Sequence, residues 1–142
     1  MSSKNKPLTV LGFDFGTHSI GVAIGQTITK TAKPLTALKA TNGIPNWDHI
    51  QKLINDWNPD ALVVGIPINM DGTEQEMTQK AIKFSNRLKE RFHLPVHQCD
   101  ERLTTAEAKS IIFEKNGFRS LTKANIDATS AQLILEAWLR EQ

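Results

Sequence analysis

The chain has 142 residues and one cysteine, Cys99, so no disulfide can form within it. A reducing compartment, the cytoplasm, is the expected setting. No apolar run approaches the roughly 18 residues that a membrane-spanning helix needs. Residues 1–7 are polar with no apolar stretch of signal-peptide kind behind them, so they are expected to be flexible chain rather than a leader. The net charge is only +2, too small to announce a nucleic-acid partner by itself. His49, His93 and His97 lack metal-ligand spacing and have no cysteine pattern beside them, so no zinc site is expected. Repeats, low-complexity tracts and long linkers are absent too. What remains is ordinary globular composition, 39% hydrophobic and 23% charged, expected to form one domain over 1–142.

Hydrophobic periodicity divides that domain into elements. Residues 8–14, 20–25 and 34–39 read as strands separated by short polar turns, an antiparallel meander. Trp47, Ile50, Leu53, Ile54 and Trp57 then fall at helical spacing behind Asn46, a suitable N-cap. The continuous apolar run 61–67 reads as a strand covered on both faces. Thr73 and Glu76 form a capping box ahead of a stripe of Met77, Ala81, Phe84, Leu88 and Phe92. Residues 95–99 read as a further strand. Thr104 and Glu107 form a second capping box, opening a helix that Asn116-Gly117 ends, and a last helix spans Lys123 to Arg140. This order predicts an α/β fold, a five-stranded mixed sheet flanked by helices. Trp47, Trp57 and Trp138 are expected in the core, as is Cys99.

Four acids fall at telling places. Asp14 closes the first strand, and Asp100 and Glu101 follow the last one directly. If those strands run parallel, their ends share the edge where open α/β sheets bind ligands. Asp127, in the first turn of the last helix, shares an apolar stripe with Ala131, Ile134 and Trp138. Singly, each acid has a plain structural reading: a turn cap, loop acids, a favourable charge at a helix N-terminus. Together they mean more. Like charges ~4 Å apart repel by about 4 kcal/mol at an effective dielectric of 20. Converging carboxylates therefore call for a cation, and hard oxygen ligands with room for water and phosphate suit Mg²⁺ or Mn²⁺.

The segments FDFGTHSIGVA, VVGIPINMDGTE, DERLTT and IDATSAQLILE resemble, in order and spacing, the four motifs of the YqgF family. These are bacterial RNase H-like proteins, related in fold to the junction resolvase RuvC. The resemblance runs from about Leu8 to Leu139. It implies an RNase H-like fold and a hydrolase, a metal-dependent nuclease that processes precursor 16S ribosomal RNA during ribosome biogenesis. It further implies that Asp14, Glu101 and Asp127 are catalytic and hold one or two Mg²⁺ or Mn²⁺ ions. One ion would activate water and the other would stabilise the leaving 3′ oxygen. Asn69, Asp71, Gly72 and Thr73, with Arg102 and Thr104, would line the substrate groove. Gly16 and Thr17 would let a phosphate approach the first turn. The family commonly has Lys or Arg where this chain has His18, and a neutral imidazole grips phosphate less firmly.

Two other functions remain open on the sequence. A Holliday junction resolvase would use the same acids on branched DNA, and two cleavage points would require a homodimer rather than a monomer. Asp14-Phe-Gly-Thr17 also resembles the phosphate loop of actin-like ATPases, which would make the chain a non-catalytic nucleotide- or nucleic-acid-binding module. The basic residues Lys80, Lys83, Arg87 and Arg91 read as a solvated helix face, or alternatively as a phosphate track.

Overall fold

The computed structural model of the chain describes residues 6–104, 106–117 and 122–142, with 106–109 described by their backbone alone. Residues 1–5 of the stretch expected to be flexible, and the Glu107 side chain of the second expected capping box, lie outside the described residues.

Strands β1 (Thr9–Asp14), β2 (Ser19–Gln26) and β3 (Thr31–Thr41) form the expected antiparallel meander. β3 outgrows the expected 34–39 at both ends. Lys30 adopts a left-handed φ of 56°, closing a tight turn so that pairing begins at Gln26 and Thr31. Pro34, which has no amide hydrogen to give, pairs beside an irregularity in register between Val22 and Ala23. At the far end Asn42 and Gly43 both take positive φ, the conformation a two-residue hairpin turn requires. That turn folds a two-residue strand, β4 (Ile44–Pro45), back onto β3. Strands β5 (Ala61–Ile66) and β6 (Val96–Asp100) complete a sheet of order β4-β3-β2-β1-β5-β6. It contains the five expected strands and this short additional edge.

β5 runs parallel to both β1 and β6, and all six of its residues are buried, as a continuous apolar run predicts. Helix α1 (Trp47–Trp57) starts where expected: the Asn46 side chain accepts the Asp48 amide at 3.0 Å. Helices α2 (Glu76–Phe92), α3 (Ala106–Asn116) and α4 (Lys123–Arg140) follow. The capping box at Thr73 and Glu76 does not form. Asp71, two residues upstream of Thr73, takes both its amide and its hydroxyl, at 2.9 and 2.6 Å. The cap passes to Gln75, whose amide donates to the Thr78 hydroxyl at 2.8 Å.

Alternation along the strands splits the core between the two faces of the sheet. Leu11, Phe13, Leu62 and Val64 pack with Ile50, Phe84 and Leu88 on one face. Val10, Ala23, Ala61 and Val63 pack with Ala131, Ile134, Leu135 and Leu139 of α4 on the other. Cys99 joins this second cluster, as expected. Trp47 and Trp138 are partly buried. Trp57 is 44% exposed rather than core, because it is the last residue of α1 and Asn58 turns the chain through a left-handed conformation there.

Candidate active site

The parallel pairing of β1 and β6 with β5 sets two acids at one edge. Val64 pairs with Phe13 on one side and with Gln98 on the other. β1 and β6 therefore end nearly level, Asp14 closing the first and Glu101 following the second. Glu101 opens a single 3-10 turn, Glu101–Leu103, and its carboxylate folds back over β5. It can do so because position 65 is glycine. A Cβ there would lie 2.8 Å from Glu101 Oε1 and 2.5 Å from Ile134 Cδ1. Asp14 and Glu101 line the same open cavity of about 380 Å³.

Helix α4 forms the opposite wall, contributing Ser130, Leu133 and Ile134. Its close approach rests on Gly21, the residue paired with Asp14: a Cβ at Gly21 would lie 1.9 Å from the Asp127 carbonyl oxygen. Asp127 is thereby carried to the sheet beside the end of β1, and it is only 8% exposed. Its carboxylate is not on the cavity lining. Oδ2 accepts the Ser19 hydroxyl at 2.6 Å and Oδ1 accepts Lys123 Nζ at 2.7 Å. Among the described residues no three His, Cys, Asp or Glu side chains are gathered as a metal cluster. Two carboxylates on one cavity wall are nevertheless a fitting hard-oxygen set for Mg²⁺ or Mn²⁺, which commonly take one or two carboxylates and complete their shell with water and phosphate.

The rim is built from the loop after β5 and the 3-10 turn after β6. Asn69 and Arg102 line the cavity, with Thr104. The loop is fixed by its own bonds: the Asn69 amide donates to the Thr73 carbonyl at 2.9 Å and the Gly72 amide to the Asn69 carbonyl at 2.8 Å. Asp71 and Thr73 bind each other, and Thr73 holds the Asp71 carboxyl below the usual carboxylate range. Asp71, Gly72 and Thr73 stand on this loop outside the cavity lining. Arg102 donates from Nε and Nη2 to Asp100, at 2.9 and 2.6 Å, while Nη1 faces Gly72. Those bonds lower the Asp100 pKa and raise that of Arg102. Thr104 donates its hydroxyl to the Glu101 carbonyl at 2.9 Å, closing the turn that aims Glu101.

Gly16, Thr17 and His18 are not brought to this cavity. Their turn is bound by its backbone toward β3 and β4, with the Gly43 amide on the Thr17 carbonyl and the Ala40 amide on the His18 carbonyl. A Cβ at Gly16 would meet the Ser19 carbonyl at 2.4 Å, so this glycine serves the turn itself. Several contributors escape sequence reasoning: Ser19 on Asp127, the Asp100 clamp on Arg102, and the lining residues Gln75 and Ser130. Lys123 alone carried a signal, since it stands four residues before Asp127 on one helix.

With this geometry in view, comparison with known proteins is specific. The family described as "RuvX: Holliday junction resolvase" matches residues 8–141. A protein of Haemophilus ducreyi named "Putative pre-16S rRNA nuclease" is 63% identical over 130 residues, covering 92% of this chain and 94% of its own length. An Aeromonas hydrophila protein of the same name is 59% identical over 142 residues, covering 100% and 99%. Among solved structures, Thermus thermophilus RuvC in complex with a Holliday junction substrate superposes with a TM-score of 0.60 at 13% identity, over 94% of each chain. The fowlpox virus Holliday junction resolvase gives 0.57 at 14% identity, over 94% and 98%. At such identities these structures speak for the fold, and it is the RNase H-like one expected. The chain belongs to the RuvX/YqgF family.

Proposed function

We propose that this chain is a divalent-metal-dependent nuclease that hydrolyses a phosphodiester bond in precursor 16S ribosomal RNA. The observation that carries the reading is the convergence of Asp14 and Glu101, from distant parts of the chain, on one cavity at the C-terminal edge of the parallel strands. The names of relatives that are about 60% identical across the whole chain support the substrate. In this reading Asp14 and Glu101 would hold Mg²⁺ or Mn²⁺, and Asp127 would join them where its carboxylate gave up Lys123. When bound, such an ion polarises the phosphate and makes water a stronger nucleophile. Arg102, oriented by Asp100, presents Nη1 to a phosphate at the rim. Thr104 keeps Glu101 in place. Asn69, Asp71, Gly72 and Thr73 shape a pre-ordered edge for the strand, and Gly16, Thr17 and His18 would meet it only beyond the cavity. Branched DNA is the second reading, favoured by the family's description as resolvases.

The test is cleavage of end-labelled precursor 16S RNA and of a DNA four-way junction with Mg²⁺, Mn²⁺ or EDTA, beside Asp14→Asn. The expected result is RNA cleavage that needs the metal and is lost in the variant. Cleavage of the junction alone would move the protein to recombination. Binding without cleavage of either would leave a non-catalytic binding module.

A further inference from the structure

A second groove, of about 420 Å³, lies between α1, α2 and the β3–β4 hairpin, lined by Ile44, Trp47, Arg87, Glu90 and Arg91. Its floor is fixed. The Trp47 ring stacks on Phe84 with centroids 6.1 Å apart and meets Phe92 at 6.4 Å. The Arg91 guanidinium lies over the Trp47 ring, 4.2 Å from its centroid. Arg87 stands one helical turn earlier on the same exposed face, and Lys83 one turn before that. Among the described residues, Lys83, Arg87 and Arg91 form no ion pair. Like charges four residues apart on a helix oppose its stability. The fold thus holds two exposed cations together with Glu90 as the only acid on the groove lining.

A guanidinium held over the face of a fixed indole makes a platform for a nucleobase, and the arginine N–H groups suit phosphate oxygens. Ile44, half exposed on the hairpin, adds an apolar wall. The stripe also has a direction. Gln75, which caps α2, lines the Asp14–Glu101 cavity. From there to Arg91 the helix covers about 24 Å. One element therefore joins the two concavities.

We propose that this groove and the Lys83, Arg87 and Arg91 stripe bind the single-stranded nucleic acid flanking the cleaved bond, one base on the Trp47–Arg91 platform and phosphates along α2. The proposal rests on the nucleolytic reading above, because it takes the flank of the same substrate. Its test uses the full chain carrying Asp14→Asn, which holds substrate without cutting it. Affinity for a fluorescent single-stranded RNA of about 20 nucleotides, and for one of about 4 that can fill only the cavity, is measured across a salt series. Adding Arg87→Ala and Arg91→Ala is expected to weaken the longer RNA about ten-fold and to lower the log–log salt slope by about 1.4, the loss of two phosphate contacts. The short RNA should bind as before. Arg91→Lys should keep the slope and still lose affinity, because it retains the charge but not the planar guanidinium.

Unchanged affinity and slope for the longer RNA in the double variant would overturn the proposal and leave the groove to another anionic partner, such as an acidic protein. Equal losses on both RNAs would overturn it too, since the effect would not be confined to the flank. If neither the Asp14→Asn chain nor the parent chain with Ca²⁺ bound either RNA, while the far-UV circular dichroism of the two matched, the nucleolytic reading itself would fall.

Discussion

Asp127 is nearly buried, and its carboxylate is satisfied twice, by partners of very different exposure. Lys123 reaches it from solvent, its side chain 76% exposed, at the i,i+4 spacing where an ion pair contributes about 0.3–0.5 kcal/mol. Ser19 reaches it from the start of β2 through a short, part-buried hydroxyl bond. Hydrogen bonds to charged groups contribute about 1.5–3 kcal/mol. Ser19→Ala is therefore expected to cost about 1.5–3 kcal/mol in urea unfolding, and Lys123→Ala no more than about 0.5. The reverse order would make the lysine the anchor of this acid. The same residues show what one sequence can disclose. Asp14 and Glu101 are legible because each ends or follows a strand, and a sheet edge collects strand ends. Ser19 is not, because its partner lies 108 residues away on another element. Nor is the Asp100 clamp on Arg102, which depends on the 3-10 turn bringing residues two apart into contact.

At the scale of elements, the position of α4 is set by what the strands omit. Gly12, Gly21, Gly25 and Gly65 all face it, and a Cβ at any of them would lie within 3 Å of an α4 atom. Two of these positions separate stability from chemistry. At Gly21 the obstacle is backbone, the Asp127 carbonyl at 1.9 Å, so the helix itself must move. At Gly65 the obstacles are side-chain ends, Ile134 Cδ1 and Glu101 Oε1, which can turn aside. Gly21→Ala is expected to lose about 3 kcal/mol, at the upper end of overpacking costs, and Gly65→Ala less than about 1.5. Yet Gly65→Ala should depress cleavage strongly, because the group it displaces is Glu101. Urea unfolding and cleavage rates measured side by side check this, and a Gly65→Ala protein of full activity would show that Glu101 need not lie over β5. The elements themselves are readable as period: every expected strand and helix among the described residues forms. The departures are at ends. β3 is longer because turns at Lys30 and at Asn42-Gly43 hold it, and the cap of α2 moves from Thr73 to Gln75 because Asp71 binds Thr73 first.

For the molecule as a whole, the two sheet faces are covered differently. One carries α1 and α2, while α4 covers the side on which Cys99 is buried. Cys99 is 3% exposed, and its thiol lies within reach of the Ile134 carbonyl of α4 at 3.7 Å and of the Asp100 carbonyl at 3.9 Å. Burial first, and then the charges of Asp100 and Glu101, push its pKa from 9.0 up to about 11. The folded protein thus holds about a hundredth of the thiolate of an unperturbed thiol, and thiolate is the reactive form. Because this is the chain's only cysteine, its alkylation reports the opening of one place, where α4 lies on the edge strand β6. The small-residue face under α4 leaves little room for partial opening, since close-packed interiors tolerate few voids. Iodoacetamide labelling at pH 8 is therefore expected to be slow in buffer and to accelerate with urea along the slope of global unfolding. A rate independent of urea would mean that α4 or the edge strand β6 leaves by a local motion. Where α4 is the element that moves, Asp127 is carried on it, and a change of partner at its carboxylate would need no unfolding of the sheet.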